Sequence, residues 1–288
     1  MNSSAIRLPR RRSSSTRVLP GFGLSMGISV LFISLVLLLP MTGLFGQLAG
    51  LSFGEYWAII SDPRIVASYT TTLGAAGAAA LVNAAFGLLL AWVLVRYEFP
   101  GKRLVDALMD LPFALPTAVA GITLATLYAK SGWAGGVLEP LGIKVAYTWV
   151  GIALAMAFTS IPFVVRTVQP VLEDMPAEVD EAAMSLGASD GVGFRRVILP
   201  HLWPALVTGT GLAFVRSLGE FGAVIFIAGN APYETEITSL MIFVKLQEYD
   251  YAGASAIASM LLLISLALLL AINIWQGRFV RRLHGGKG

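Results

Sequence analysis

TTLGAAGAAALVNAAFGLLLAW, residues 71–92, is a run of 22 residues without a charged side chain. Roughly 20 apolar residues in helical form are needed to cross a bilayer, and the run lacks the alternating polarity of a membrane β-strand. Its many glycines and alanines let helix backbones approach closely in lipid. The stretch therefore predicts a membrane-spanning helix packed in the interior of a bundle.

Working outward from this run, the chain contains six stretches long enough to span a bilayer: approximately 22–45, 67–95, 104–129, 148–170, 203–228 and 254–276. A chain exposed to lipid must satisfy its backbone hydrogen bonds within each segment. We therefore expect an all-α membrane protein with six transmembrane helices. The predicted organisation is a basic tail (1–21), a transmembrane domain (22–282) with its core at 65–276 and a polar loop at 171–202, and a second tail (283–288).

The composition agrees with a membrane protein. Apolar residues make up 56% of the 288, charged residues 13%, and the mean hydropathy is +0.76. Soluble domains carry about 25% charged residues. Because the chain has no cysteine and only two distant histidines, His201 and His284, we expect no disulfide, iron–sulfur cluster or metal site.

Orientation follows from the distribution of positive charge. With a cytoplasmic N-terminus, 15 lysines and arginines fall at inner ends and loops and four at outer loops, with Arg216 left within a span. This bias predicts that both termini and the 171–202 loop are cytoplasmic, and it accounts for the net charge of +3 without nucleic-acid binding. The inner set is Arg7, Arg10, Arg11, Arg12, Arg17, Arg96, Lys102, Arg103, Arg166, Arg195, Arg196, Arg278, Arg281, Arg282 and Lys287, and the outer set is Arg64, Lys130, Lys144 and Lys245.

The N-terminal tail, RLPRRRSSSTR, can be read as an export signal or as the inner flank of a retained helix. The apolar run that follows is longer than the usual core of about 7–15 residues in a signal peptide. We favour a retained first helix preceded by a disordered tail that only sets the topology.

The polar loop contains EAAMSLGASDGVGFRRVILP, residues 181–200. Asp174 and Pro176 are favourable helix starts and Gly187 a favourable stop, which predicts a helix of about three turns between them. Glu178, Asp180 and Glu181 supply acceptors for basic residues of a partner. The alternative is a helix lying on the headgroups, but its acidic surface would be repelled by an anionic membrane.

This loop resembles the EAA loop of ATP-binding-cassette (ABC) importer permeases. Val197 stands where isoleucine is usual. The resemblance implies a type I ABC importer permease fold whose loop docks into a groove of a separate ATPase subunit. The matching residues are Glu181, Ala182, Ala183, Gly187, Val197, Leu199 and Pro200.

The chain lacks the sequence of a phosphate loop, G-x-x-x-x-G-K-[ST]. We therefore expect a non-enzymatic transport subunit with no cofactor of its own, in which ATP and Mg are bound by the partner ATPase. A carrier driven by an ion gradient is the alternative energy source, and such carriers often have several intramembrane carboxylates or histidines. Here Glu220 is the clear candidate. An intramembrane enzyme or scaffold is a further alternative, for which the spans offer no nucleophile–base pair.

The fifth predicted span contains RSLGEFG, with Arg216 near its centre. Glu220 follows four residues later on the same helical face, so the two side chains can pair. The pair either neutralises two buried charges and fixes packing, or it lines the pathway of an anion; intramembrane charges are often functional. Gly219 and Gly222 permit a close helix crossing or a kink.

The third predicted span contains Pro112 and Pro116, one helical turn apart. Each removes a backbone donor, which predicts a bend that exposes carbonyls or Thr117. A fixed kink is favoured over a gate, because membrane helices tolerate proline well. Asn83 and Asn273 are expected to form interhelical hydrogen bonds.

Longer strings resemble the T (also called U) permease subunits of bacterial sulfate/thiosulfate importers. The resemblance implies an inner-membrane heterodimer with a W-type permease, an ATPase dimer, and a periplasmic sulfate- or thiosulfate-binding protein, which we expect to dock near residues 230–253. Molybdate and tungstate permeases resemble the Arg216–Gly222 region too, so that substrate is the alternative. The strings are LPFALPTAVAGITLATLY, YTWVGIALAMAFTSIPFVVRTVQPVLE, RSLGEFGAVIFIAGN and TEITSLMIFVKLQEYDYAGASAIAS.

Overall fold

The computed structural model describes residues 22–176 and 178–284, and every regular element in this part of the chain is helical. Residues 1–21 and 285–288 lie outside the described residues, and with them the predicted N-terminal tail and all but the first two residues of the predicted C-terminal tail, 283–288. The numbered helices, in chain order, are α1 Phe22–Leu48, α2 Phe53–Ile60, α3 Pro63–Arg96, α4 Lys102–Met109, α5 Leu111–Ala114, α6 Thr117–Tyr128, α7 Trp133–Leu138, α8 Trp149–Glu173, α9 Glu178–Ser185, α10 Leu199–Leu218, α11 Val224–Ile227, α12 Thr238–Gln247 and α13 Tyr251–His284. Two further helical turns, Glu139–Leu141 and Asp190–Gly193, are left unnumbered.

Within the described residues, five helices are long and apolar enough to cross a membrane. They coincide with the first, second, fourth, fifth and sixth predicted spans. The chain is therefore an all-helical, multi-pass membrane protein. Whether six segments cross the bilayer, and on which side the termini lie, stay predictions. The five ranges are Phe22–Leu48, Pro63–Arg96, Trp149–Glu173, Gly191–Leu218 and Tyr251–Gly277.

The third predicted span, 104–129, is not a continuous helix. It consists of α4, α5 and α6, with breaks at Asp110 and at Leu115–Pro116. Leu115 is extended (φ −86°, ψ 136°), as the residue before a proline is sterically pushed to be. Pro112 lies in the first turn of α5 and Pro116 caps α6, so each proline sits where its missing N–H costs little.

The fifth predicted span, 203–228, is also interrupted. Its helix, α10, begins earlier, at Leu199, and ends at Leu218; a turn through Gly219–Ala223 then leads to the single turn of α11. The apolar run is long enough for one helix. The break follows from the polar and glycine residues in SLGEFG, which apolar counting alone does not register.

The interior of the bundle is built by α3, α8 and α10. The alanine-rich face of α3 is buried, including Ala75, Ala76, Ala79 and Ala80, which confirms the prediction of a packed interior helix. The expected role of Asn83 is also met, because its Nδ2 donates to Ala157 O (3.0 Å) and to Ser160 Oγ (2.8 Å) of α8.

The same cluster extends to α10, where Ser217 Oγ donates to Ser160 Oγ (3.1 Å). The prediction for Asn273 was wrong, because that residue is exposed on α13. The equivalent link is made by Gln276, whose Nε2 donates to Thr208 Oγ1 of α10 (2.5 Å).

The first helix, up to Gln47, forms a compact unit of its own. A π-helical turn at Ser34–Leu38 interrupts its α-helical hydrogen bonding. None of its described residues is buried, and most of its large apolar side chains are exposed.

Candidate coupling loop and helix junction

The polar loop is rooted in the core at both ends. Leu172 and Met175 at its start pack in the same buried cluster as Ile198 and Leu202 at its end. The loop leaves α8 and enters α10 through a π-helical turn, Phe194–Ile198. The loop is therefore mechanically connected to two interior helices, α8 and α10.

The helix predicted within this loop is α9, Glu178–Ser185. It ends before Gly187, which has a left-handed backbone (φ +80°) and whose N–H donates to Met184 O (2.9 Å). This is the helix stop that the sequence indicates. Ala177 lies outside the described residues, as do the side chains of Glu181, Ala182 and Ala183, whose backbone is helical; Glu178 is exposed.

Two apolar side chains that sequence reasoning passed over stand out on this loop. Met184 is 58% exposed and Leu186 is 89% exposed. Apolar residues in an otherwise polar, solvent-facing loop suggest a surface that a protein partner covers. The signal was present in the sequence as the pair of apolar letters at the end of EAAMSL.

The returning arm of the loop holds the remaining predicted coupling residues. Val197 is 37% exposed, Pro200 is exposed and Leu199 is partly buried. The arm is fixed to α3 because the ring of Phe194 meets that of Trp92 edge to face, with centroids 5.2 Å apart. The Arg96 guanidinium lies over the Trp92 ring, 5.7 Å from its centroid.

Arg216 and Glu220 form an ion pair, with Arg216 Nη1 2.7 Å from Glu220 Oε2. The glutamate side chain is 2% exposed and that of the arginine 34%, so the cation reaches space that the anion does not. Arg216 lies in the last turn of α10, where the carbonyl end of the helix favours a cation.

Glu220 also holds the break that follows α10. Its Oε1 accepts a hydrogen bond from Ala223 N (3.0 Å), and its carbonyl oxygen accepts one from Ser239 Oγ (2.9 Å). One carboxylate therefore both pairs with Arg216 and shapes the turn. A purely sequence-based argument could identify the pairing from the four-residue spacing, but not the turn.

The breaks in the third and fifth predicted spans meet. A Cβ added at Gly222 would collide with Thr117 Oγ1, and one at Gly121 would collide with the backbone of Ala223. Gly121 is thus required by a close backbone approach, and Gly222 by its packing against the Thr117 side chain. Gly219 is not, because a Cβ there would find only Arg216 O, at 4.0 Å, and its φ is −90°.

Both prolines precede this meeting point along the chain. Pro112 is buried in α5, and Pro116 is exposed at the start of α6, next to Thr117. The structure thus brings together Pro116, Thr117 and Gly222, with Glu220 two residues away along the chain. We call this region, Leu115–Gly121 with Arg216–Ala223, the helix junction.

On the predicted outer side, the segment 230–253 is folded onto the bundle. Arg64 at the start of α3 pairs with Glu236 (2.5 Å), and α12 buries Leu240 and Met241. Lys245 at the end of α12 lies near Glu248 (3.1 Å) and Asp250 (3.2 Å). The hydrogen bond to Glu248, aided by the bond to Asp250, raises the pKa of Lys245.

Among the described residues, no group of three or more histidine, aspartate or glutamate side chains is placed to hold a metal ion. What the described part of the chain offers is a loop with exposed apolar side chains and a charged helix junction. Neither arrangement presents a nucleophile with a neighbouring base.

Comparison with known proteins relates the chain to transport. Residues 83–285 match the family model described as binding-protein-dependent transport system inner membrane component. The chain is 61% identical to the sulfate transport system permease protein CysT of Salmonella typhimurium, over 94% of this chain and 98% of that protein. It is 46% identical to CysT of Synechococcus elongatus, over 96% of this chain and 99% of the relative.

Solved structures with the same fold are more distant in sequence. A bacterial ABC transporter involved in the import of the acidic polysaccharide alginate matches with a TM-score of 0.74 at 18% identity, covering 90% of this chain and 96% of that one. A bacterial alginate ABC transporter in complex with an alginate pentasaccharide-bound periplasmic protein also matches, with a TM-score of 0.74 at 18% identity, covering 89% of this chain and 93% of that one. At this identity the likeness establishes the importer permease fold.

Proposed function

Because the chain belongs to the family of binding-protein-dependent transport system inner membrane components, we propose that it imports sulfate or thiosulfate as a permease subunit of an ABC transporter. The carrying observation is the 61% identity, over nearly the full length of both chains, to a protein named as a sulfate transport permease. That identity is spread over 272 residues and is not confined to one motif. It favours sulfate over the molybdate or tungstate alternative.

Four partners follow from this proposal. A W-type permease would complete the pathway, a dimer of ATPase subunits would bind ATP and Mg, and a periplasmic sulfate- or thiosulfate-binding protein would deliver the anion. The lipid bilayer of the bacterial inner membrane would surround the bundle. The chain itself would hold no cofactor and hydrolyse nothing, in keeping with the missing phosphate-loop sequence.

The coupling loop supports a role as the ATPase contact. Exposed Met184 and Leu186 offer an apolar surface, and the acidic Glu178 an electrostatic one. Because the loop is rooted between α8 and α10, closure of the ATPase dimer would move both helices and open the pathway outward. Hydrolysis and nucleotide release would restore the inward-open state.

The helix junction supports a role in anion passage. Arg216 is the partly exposed member of its ion pair, so its positive potential is available to a passing dianion while Glu220 stays buried. Discontinuous membrane helices are a recurring feature of substrate pathways in transporters. Thr117, Pro116, Pro112, Gly219 and Gly222 lie at or beside these breaks.

The substrate is tested by uptake of labelled sulfate into liposomes that contain the full complex, with thiosulfate, molybdate and phosphate as competitors. We expect ATP-dependent uptake that thiosulfate blocks and molybdate does not. Uptake blocked mainly by molybdate would contradict the sulfate assignment and leave the importer mechanism in place.

A further inference from the structure

Arg166, outside the features described so far, joins α8 to the broken third span. Its Nε and Nη2 donate to the two carboxylate oxygens of Asp110, at 2.9 and 2.7 Å. Its Nη1 donates to Asp106 Oδ1 (2.7 Å), and Nη2 also reaches Asp106 O (2.9 Å). A planar guanidinium is suited to such a fork, whereas an ammonium group is not.

The helix that carries Arg166 leads directly into the coupling loop. α8 ends at Glu173. Gln169 lies between Arg166 and Glu173 and bonds to both: its Oε1 accepts from Arg166 Nη1 (2.7 Å), and its Nε2 donates to Glu173 Oε1 (3.0 Å). The loop root, Leu172 and Met175, follows at once in the core. Arg166 is therefore within two helical turns of the point where the loop begins.

The backbone of α8 is weakened on both sides of Arg166. Pro162 and Pro170 both lie inside the helix, and a proline in a helix interior removes one backbone hydrogen bond. Pro170 has no N–H to donate to the carbonyl of Arg166, four residues earlier. This end of α8 can therefore bend. The fork of Arg166 ties the bending end of α8 to α4 through Asp106 and Asp110.

At its other end, the fork holds the segment that leads to the helix junction. Asp106 lies in α4 and Asp110 between α4 and α5. A second contact joins the same elements, since the rings of Phe113 (α5) and Phe163 (α8) meet edge to face with centroids 5.4 Å apart. Beyond Phe113 come the Leu115–Pro116 break, α6, and the packing of Thr117 against Gly222.

We propose that Arg166 is a positioning residue of the transport cycle. It makes α4 and α5 move with the loop-proximal end of α8, so that displacement of the coupling loop is passed to the Leu115–Pro116 break and from there to the helix junction. The inference rests on the proposed importer function, because it requires an ATPase that moves the loop. If the Arg166 cluster were purely structural, it would stabilise the fold without linking ATP hydrolysis to the passage of sulfate.

The test measures sulfate uptake and ATP hydrolysis together in liposomes containing the full complex. Arg166→Lys keeps the charge but loses the fork, and Asp110→Asn keeps the shape but loses the anion. We expect both to keep hydrolysis stimulated by the binding protein while the sulfate imported per ATP falls by about fivefold or more. Lys102→Gln is the matched control, because it breaks an ion pair at the start of α4, to Glu98 (2.6 Å), that is not part of the Arg166 fork.

An unchanged ratio of sulfate to ATP in Arg166→Lys and Asp110→Asn would overturn the proposal. The proposal would also be overturned if less complex assembled and uptake and hydrolysis both fell in proportion to it. A purely structural role of Arg166 predicts that result. If the unaltered complex itself shows no ATP-driven sulfate uptake, the proposed function fails instead.

A distance measurement tests Arg166 independently of substrate. The chain has no cysteine, so spin labels at Leu108→Cys and Glu173→Cys report on α4 against α8 without background from this subunit. We expect one narrow distance distribution in the nucleotide-free and ATP-bound complexes, and a broad one after Arg166→Gln. A distance that shifts between the two states of the unaltered chain, or no change in the Arg166→Gln variant, would contradict the proposal.

Discussion

At the residue scale, the Arg216–Glu220 pair has two possible roles that can be separated by substitution. Arg216→Gln leaves a carboxylate that is 2% exposed without its cation, and unpaired buried charges are destabilising. A loss of uptake in this single variant would therefore be ambiguous. The double variant Arg216→Gln/Glu220→Gln removes both charges and keeps an oxygen that can accept from Ala223 N.

We expect the double variant to assemble and melt close to the unaltered complex, but to import sulfate much more slowly, because no positive charge faces the passing dianion. Uptake assays and thermal unfolding on the same preparation check this. Transport at the unaltered rate would show that the pair only fixes packing.

Asn83 gives a second prediction at this scale. Asn83→Ala removes hydrogen bonds to Ala157 and Ser160 in the bundle interior, and interhelical hydrogen bonds in membranes contribute about 1 kcal/mol. We expect a lower unfolding temperature in detergent. Asn273→Ala is the control, since that side chain is exposed; equal losses in the two variants would be inconsistent with this account.

At the scale of elements, Gly187 decides how α9 ends. Its φ of +80° is costly for residues with a Cβ, by about 1–2 kcal/mol, and no neighbouring atom lies within 4 Å. Gly187→Val should therefore act through the backbone alone, disturbing the loop and weakening ATPase binding. Asparagine tolerates this conformation, so Gly187→Asn should retain more ATPase in co-purification. If Gly187→Val retained the ATPase fully, the end of α9 would not be part of the docking surface.

The close approach at the helix junction gives a prediction of its own. Gly121→Ala places a methyl group against the backbone of Ala223, whereas Gly77→Ala meets nothing within 4 Å. Overpacking typically costs about 1–3 kcal/mol, so we expect Gly121→Ala to lower the unfolding temperature and Gly77→Ala not to. A Gly121→Ala protein as stable as the unaltered one would mean that the two breaks do not pack this closely.

The elements also show where sequence reasoning succeeds and where it stops. Apolar length placed α3, α8 and α13 correctly, because lipid demands the same property along a whole span. It merged α4, α5 and α6 into one helix although Pro112 and Pro116 were noted, since proline alone does not distinguish a kink from a break. Apolar length also missed the break after Leu218 and predicted one continuous span there. The turn depends on Glu220 accepting a hydrogen bond from Ala223 N and on contacts with α6, which a count of apolar residues does not include.

At the scale of the whole molecule, the charge distribution predicts the orientation in the membrane. Because the chain has no cysteine, single thiols can be introduced one at a time. Ser189→Cys in the coupling loop should react with a membrane-impermeant reagent only from the cytoplasmic side, and Tyr249→Cys, at a position that is 79% exposed, only from outside. Labelling of both from one side would contradict the predicted topology.

The central claim is that this bundle is opened by an ATPase it does not contain. ATP-driven uptake of labelled sulfate into liposomes is the most direct measurement, comparing the full complex with preparations that lack the ATPase or carry an ATPase unable to hydrolyse. We predict uptake in the full complex alone. Sulfate transport that persists without an active ATPase, driven by an ion gradient, would contradict the account.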